Sequence, residues 1–305
     1  MCIQSQSAAA KMDAIMLLVY GDESFDAGKE RVCAVVGVVG TPELWVELEN
    51  KWKARNGTIP FHAVDCWWGR GDYENIPREQ SQALYIDLVN MLADSGLGGF
   101  ASVLDLAAQR ATFAPPTFNP PVYYQSFMTV LEKMRNAAEN RNDFAELTFD
   151  SRLESNHNAG LIYAYLRESN PQWKERLASK ISFECSHDNP RIQVADLFAY
   201  EAMKDLDNQI GPQKRPTRKS WEVLTATNHF RSEKVSEEHF GDPRMEPKSV
   251  MLALGFTPED YASWLDKHNR QNCHTAYFEF LIWHRGRMTP EQLANFDAHF
   301  GGDNL

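Results

Sequence analysis

The chain has 305 residues, room for one large domain or one domain with an appendage, and a 43% hydrophobic, 11% aromatic composition that can bury a sizeable core. A net charge of −11 and a pI of about 5.3 argue against broad, non-specific duplex binding, while leaving room for a local basic strip on an acidic body. Five scattered cysteines without a CxxC pair argue against a disulfide framework, and no stretch approaches the roughly 20 apolar residues of a membrane helix, so the expectation is a cytoplasmic protein in a reducing compartment with no membrane partner.

Residues 1–12, MCIQSQSAAAKM, are small and polar and read as a loose leader. AIMLLVY is too short, and too soon followed by acids, to be a signal segment. With RVCAVVGVVG it reads as a hairpin of buried strands, the chain turning polar at Gly21-Asp22-Glu23-Ser24. TPELWVELENKWKARNG has a Thr-Pro start, helical apolar spacing and a Gly stop. FHAVDCWWGRGDYENIP has no clean period and reads as a loop carrying functional residue types. Then follow a helix opened by Pro77, the strand LGGFASVLDL, the proline-rich loop PPTFNPP, the helix VYYQSFMTVLEKMRNAAEN and the strand FAELTFD ending at Asp150. A helix, NAGLIYAYLRE, and a strand, KISFECS, lead to the helix DNPRIQVADLFAYEAMKDL, capped by Asp188 or Asn189 with Pro190 in its first turn. Residues 13–210 are thus expected to form an α/β domain. Residues 211–305, a basic loop followed by short helices, are expected to form a helical C-terminal extension packed on it. Strands joined by helices predict parallel pairing, and a hairpin feeding such units predicts a mixed sheet.

The acids of this scheme form a pattern. Asp22 and Glu23 follow the first strand, Asp150 closes a later one, and Asp196 sits on the last helix of the domain with Gln193 three residues before it. His62 and Asp65 lie in the FHAVD loop. If the first strand lies beside the one ending at Asp150, their carboxyl ends share the edge where open α/β sheets bind ligands. Oxygen ligands from several elements suit Mg²⁺ or Mn²⁺, ions that support phosphoryl displacement.

VYGDES, FHAVD, an Asp closing a strand, IQVADLFAYE and the basic KRPTRKSW, in this order over about residues 13–240, resemble the family catalogued as domain of unknown function 3800. The resemblance implies a ribonuclease-H-like mixed sheet flanked by helices and a metal-dependent phosphodiesterase site. It implies metal ligation by Asp22, Asp150 and Asp196, matched to the acids of the first strand, the fourth strand and the final helix. The FHAVD loop departs from the pattern, standing where a helical Glu is expected. Asp65, His62 or Glu23 then completes the site, and one metal rather than two stays open.

The expected function is divalent-metal-dependent cleavage of a phosphodiester in nucleic acid, with His62 handling a proton. Gln193 positions a water or phosphate, or caps a buried carbonyl. Lys214, Arg215, Arg218 and Lys219 grip a phosphate backbone or form a solvated loop, and Trp67-Trp68 stacks bases or packs in the core. The competing class is a non-catalytic nucleic-acid- or partner-binding module that keeps part of the acid cluster. His62-x₃-Cys66 and Cys185-x-His187 offer nitrogen and sulfur ligands, but neither spacing is a usual zinc one. Neither a phosphate-binding glycine loop nor a nucleophile elbow is present.

Overall fold

An antiparallel hairpin, β1 (Met16–Phe25) with β2 (Val32–Gly40), stands at the centre of the sheet. The structure is a computed structural model that describes residues 16–112, 122–151, 156–169, 171–235, 257–267 and 289–290. The expected leader, PPTFNPP and the AYFEFLIWH helix lie outside these residues. β1 does not stop at Tyr20 as expected. It runs through Asp22 and Glu23 to Phe25, paired without interruption as far as Phe25 against Cys33. The reversal comes later, at Asp26, whose carboxylate accepts hydrogen bonds from the N–H groups of Gly28, Glu30, Arg31 and Val32 at 2.8–3.2 Å. Polar residues at 21–24 are compatible with a strand because the ladder bonds of β2 hold the backbone whatever the side chains are.

Helix α1 (Pro42–Asn56) keeps its expected bounds, with Thr41 before it and Gly57 after it at a φ of 71° that a side chain rarely adopts. The segment expected as a functional loop instead folds into α2 (Ala63–Trp68) and a 3-10 turn (Gly71–Tyr73). Its apolar residues Ala63, Cys66 and Tyr73 are buried, which stabilises a helix too short for a visible period. Then follow α3 (Arg78–Ala93), β3 (Gly98–Asp105), α4 (Leu106–Thr112), α5 (Val122–Asn140) and β4 (Phe144–Asp150). Next come α6 (Asn156–Ser169), α7 (Pro171–Arg176), the three-residue β5 (Ser182–Glu184) and α8 (Pro190–Ile210). Asn189, not Asp188, caps α8 by accepting from the N–H of Arg191. Beyond the basic loop lie α9 (Lys219–Thr225), β6 (Phe230–Val235) and α10 (Pro258–Lys267), which buries Tyr261 and Trp264.

The six strands of the described residues form one mixed sheet in the order β5-β4-β1-β2-β3-β6. β1 pairs parallel with β4, β4 with β5 and β3 with β6, while β2 is antiparallel to both neighbours. The parallel expectation fails for β2 and β3: three helices connect them, enough chain to return from the opposite end. The outer strand β6 is drawn from beyond residue 210, so the sheet extends into the C-terminal segment.

Helices cover both faces, giving two cores. Tyr20, Val36 and Val38 pack with α1, α3 and α8 on one face, while Leu17, Val19, Val35 and Phe149 pack with α5 and α6 on the other. Gly21 allows the close approach of β4, since a Cβ there would collide with the Phe149 ring. Among the described residues no helix is long and apolar enough to cross a membrane.

Candidate functional site

β4 ends at Asp150 beside β1, which runs on to Phe25. Their parallel register pairs Gly21 with Phe149, so Asp22 and Asp150 follow on neighbouring strands about 4.8 Å apart. Gly21 abuts Phe149 on the α5 face, and alternation turns Asp22 and Asp150 to the face covered by α8. That helix presents Asp196. Asp22 and Asp196 are buried and Asp150 is half-buried.

Each carboxylate accepts a hydrogen bond from a backbone N–H. Glu23 donates to Oδ1 of Asp22 at 2.7 Å, Ser186 to Oδ1 of Asp150 at 2.9 Å, and Ala63 to Oδ2 of Asp196 at 2.7 Å. Ala63 opens α2, so its N–H is one that the helix itself cannot satisfy. The second oxygens of Asp150 and Asp196 receive no donor among the described residues. Burial pushes the Asp196 carboxyl up to about 6, the charges of Asp150 and Asp65 push the same way, and His62 and the Ala63 N–H oppose them. His62 Nδ1 lies 2.9 Å from Oδ2 of Asp65. Burial alone would lower the imidazole pKa, but the negative charge of Asp196 and the bond to Asp65 raise it. His62, Asp65, Asp150 and Asp196 therefore form one electrostatic group.

Other expected residues lie elsewhere. Glu23 does not share the face of Asp22: alternation sends it toward the α5 side with Phe25, and it meets the site only where the strand ends. Gln193 is scaffold. Its amide donates to the carbonyls of Ser186 at 2.9 Å and His187 at 3.4 Å and accepts from the Trp52 indole at 3.4 Å, bracing the loop that holds Asp150. Arg218 is not a free phosphate grip. It pairs with Glu201 at 3.0 Å and lies over the Trp67 ring at 4.0 Å, its side chain 16% exposed, because a fully buried Glu201 requires a cation. Lys214, Arg215 and Lys219 remain exposed. The tryptophan pair divides: Trp67 packs edge-on against Tyr85, while Trp68 is 42% exposed beneath the Arg78 guanidinium. Of the zinc candidates, Cys66 is buried with its thiol pushed up to about 12 by burial, and Cys185 is exposed.

Beside the acids opens a cavity of about 560 Å³, lined by His62, Asp196 and Glu23 together with Lys29, Trp68, Arg70, Tyr200 and Lys204. The three cations and Tyr200 were missed from the sequence. Tyr200 and Lys204 follow Asp196 by four and eight residues, a helical spacing that was legible. Lys29 and Arg70 sit in a turn and a loop and give no periodic signal.

Among the described residues no three His, Cys, Asp or Glu side chains stand close enough to hold one metal ion. Compared with family models, with curated proteins and with solved structures, the chain matches none.

Proposed function

We propose that the chain is a divalent-metal-dependent phosphodiesterase acting on nucleic acid, built on a ribonuclease-H-like sheet and working in the cytoplasm. One observation carries the reading: Asp22 and Asp150 stand side by side on adjacent parallel strands, facing an Asp196 whose carboxyl is pushed up to about 6 by burial among acids. Such a cluster holds repulsion that a cation relieves. The all-carboxylate donor set fits Mg²⁺ or Mn²⁺, and the undonated oxygens of Asp150 and Asp196 are suited to it. The carboxylates stand too far apart to enclose an ion as they are, so binding requires rotation of their side chains. Asp22, Asp150 and Asp196 would hold the ion, which supplies charge neutralisation at the phosphoryl group.

The chain's own residues support the rest. Lys29, Arg70 and Lys204 balance Glu23, Asp26 and Asp196 in the cavity lining, so the place where a phosphate enters does not share the overall charge of −11. His62, oriented by Asp65 and with its pKa raised, carries a proton to the leaving oxygen. Cys33, Cys66 and Cys185 are free thiols, in keeping with a reducing compartment.

The test combines hydrolysis of a labelled oligonucleotide in Mg²⁺ or Mn²⁺ with thermal melting, for wild type and for Asp22→Asn, Asp150→Asn and Asp196→Asn. Each variant is expected to abolish hydrolysis and shrink the metal-induced rise in melting temperature, leaving the metal-free protein at least as stable. If all three melt lower without metal yet keep the wild-type metal response, the acids are scaffold. Nucleic-acid binding with no hydrolysis in either metal favours the non-catalytic module.

A further inference from the structure

We infer that the cavity beside the acids takes one unpaired nucleotide of a single-stranded nucleic acid, its base stacked on Trp68 and its phosphate held by Lys29, Arg70 and Lys204. The inference rests on the phosphodiesterase reading for the nature of the ligand, and it adds which form of nucleic acid the site accepts.

Four observations support it. First, Trp68 is one of few large apolar side chains left exposed among the described residues, at 42%, and it lines the cavity. The Arg78 guanidinium, which does not itself line the cavity, lies over its ring at 4.8 Å and holds the indole in place. An aromatic ring held in this way is a stacking platform for any base.

Second, the cations are placed around the same space. Lys29, at a φ of 53° in the hairpin turn, makes no ion pair among the described residues. Arg70 touches Asp65 only at 3.8 Å, while Lys204 is shared with Asp207 at 3.1 Å. Lys29 and Arg70 are therefore the stronger phosphate contacts.

Third, Tyr200 is 2% exposed, lines the cavity, and has a hydroxyl with no hydrogen-bond partner of good geometry, though Trp68 and Arg218 lie near it. A buried hydroxyl without a partner is costly unless a ligand completes it.

Fourth, the shape discriminates. In a duplex both faces of every internal base are stacked and its edges are paired, so no ring can reach Trp68 inside a cavity of about 560 Å³. The acidic body repels a duplex as a whole, whereas a flexible single strand can offer one nucleotide to a pocket in which Lys29, Arg70 and Lys204 balance Glu23, Asp26 and Asp196.

The test is fluorescence anisotropy of a labelled oligothymidylate of about ten nucleotides, within the span of single-strand sites, and of the same strand paired with oligoadenylate. Binding is read in EDTA and again in Ca²⁺, with hydrolysis in Mg²⁺ and in Mn²⁺ followed in parallel. The wild type is expected to bind the single strand at least tenfold more tightly than the duplex. Trp68→Ala should weaken single-strand binding by roughly tenfold or more, Trp68→Phe by less, and Tyr200→Phe by a few-fold, all with wild-type melting. Equal binding of duplex and single strand, wild-type binding by Trp68→Ala, or no binding in either buffer overturns the inference. Single-strand binding that depends on Trp68, with no hydrolysis in any metal, overturns the phosphodiesterase reading alone. Hydrolysis of the single strand by Trp68→Ala at the wild-type rate and affinity overturns this inference alone.

Discussion

Helix α8 carries two buried acids, five residues apart, in opposite circumstances. Glu201 is fully buried and fully answered: Tyr85 donates to Oε1, Ser220 donates to Oε2 at 2.7 Å, and Arg218 completes an ion pair. Asp196 is nearly as buried, yet it has one backbone N–H, an exposed histidine nearby and two further acids pressing on it. A fold that places a cation against one acid and more acids against the other treats the two differently. The first holds α9 and the basic loop onto the core. The second stays under electrostatic load at the edge of a cavity, where perturbed groups mark functional sites. Asp26 sits with the first kind: burial raises its pKa, but the N–H groups of Val32, Arg31 and Gly28 together with the Arg31 charge outweigh that and hold it below the usual value.

The contrast can be broken most directly at Arg218. Arg218→Ala strands Glu201 without its cation and is expected to cost roughly 3–5 kcal/mol in urea unfolding. Adding Glu201→Gln should recover part of that loss, since the buried charge then disappears. A loss under about 1 kcal/mol would mean that Glu201 is not paired as described.

At Asp196 the expected sign is reversed. Its carboxyl titrates near 6 in the folded chain against an ordinary 3.8, so ionising it costs the folded state more than the unfolded one. The metal-free protein should lose stability as pH rises from about 4 to about 6, by on the order of 2 kcal/mol. His62, raised above its usual 6.5, carries the decline further up, because its stabilising charge is lost as pH passes its folded pKa. Asp196→Asn should flatten the lower part of this slope. If the variant keeps the wild-type pH profile of melting, Asp196 is not under load.

Gln193→Ala is expected to cost about 1–2 kcal/mol, since it leaves two loop carbonyls and the Trp52 indole short of partners. Because that loop also supplies the N–H to Asp150, turnover should fall while metal-free binding of an oligonucleotide is kept. The smallest effect is expected in the basic loop. Lys214→Ala with Arg215→Ala should shift stability by under about 0.5 kcal/mol. If the loop grips a single strand, the salt slope of binding should fall by about 0.7 for each phosphate that is no longer neutralised, and an unchanged slope makes the loop solvated surface.

Some of this was legible in the residues. Thr41-Pro42 with Gly57, and Asn189-Pro190, bracket their helices because capping is a local matter settled within a few residues. Apolar runs marked β1, β2, β3 and β4, and an acid at the end of such a run marked Asp150. That both runs close in acids also pointed to β1 lying beside β4, the pairing found. Other features depended on contacts remote in sequence. Whether β1 ends at Tyr20 or Phe25 is decided by its ladder with β2, which acids in the strand do not disturb. The α2 segment is helical because α3 and α8 pack against it and bury one side, a stabilisation invisible in six residues. Arg218 looked like its exposed neighbours in a basic run, and only the buried carboxylate of Glu201, 17 residues earlier in the chain, draws it inward. The sequence by itself determined which residue types were available and which local elements would form, because propensity and capping act over one or two turns. The tertiary structure alone decided which acids were paired, which were crowded and which cations faced the cavity, because charge interactions depend on distances in space that chain order does not contain.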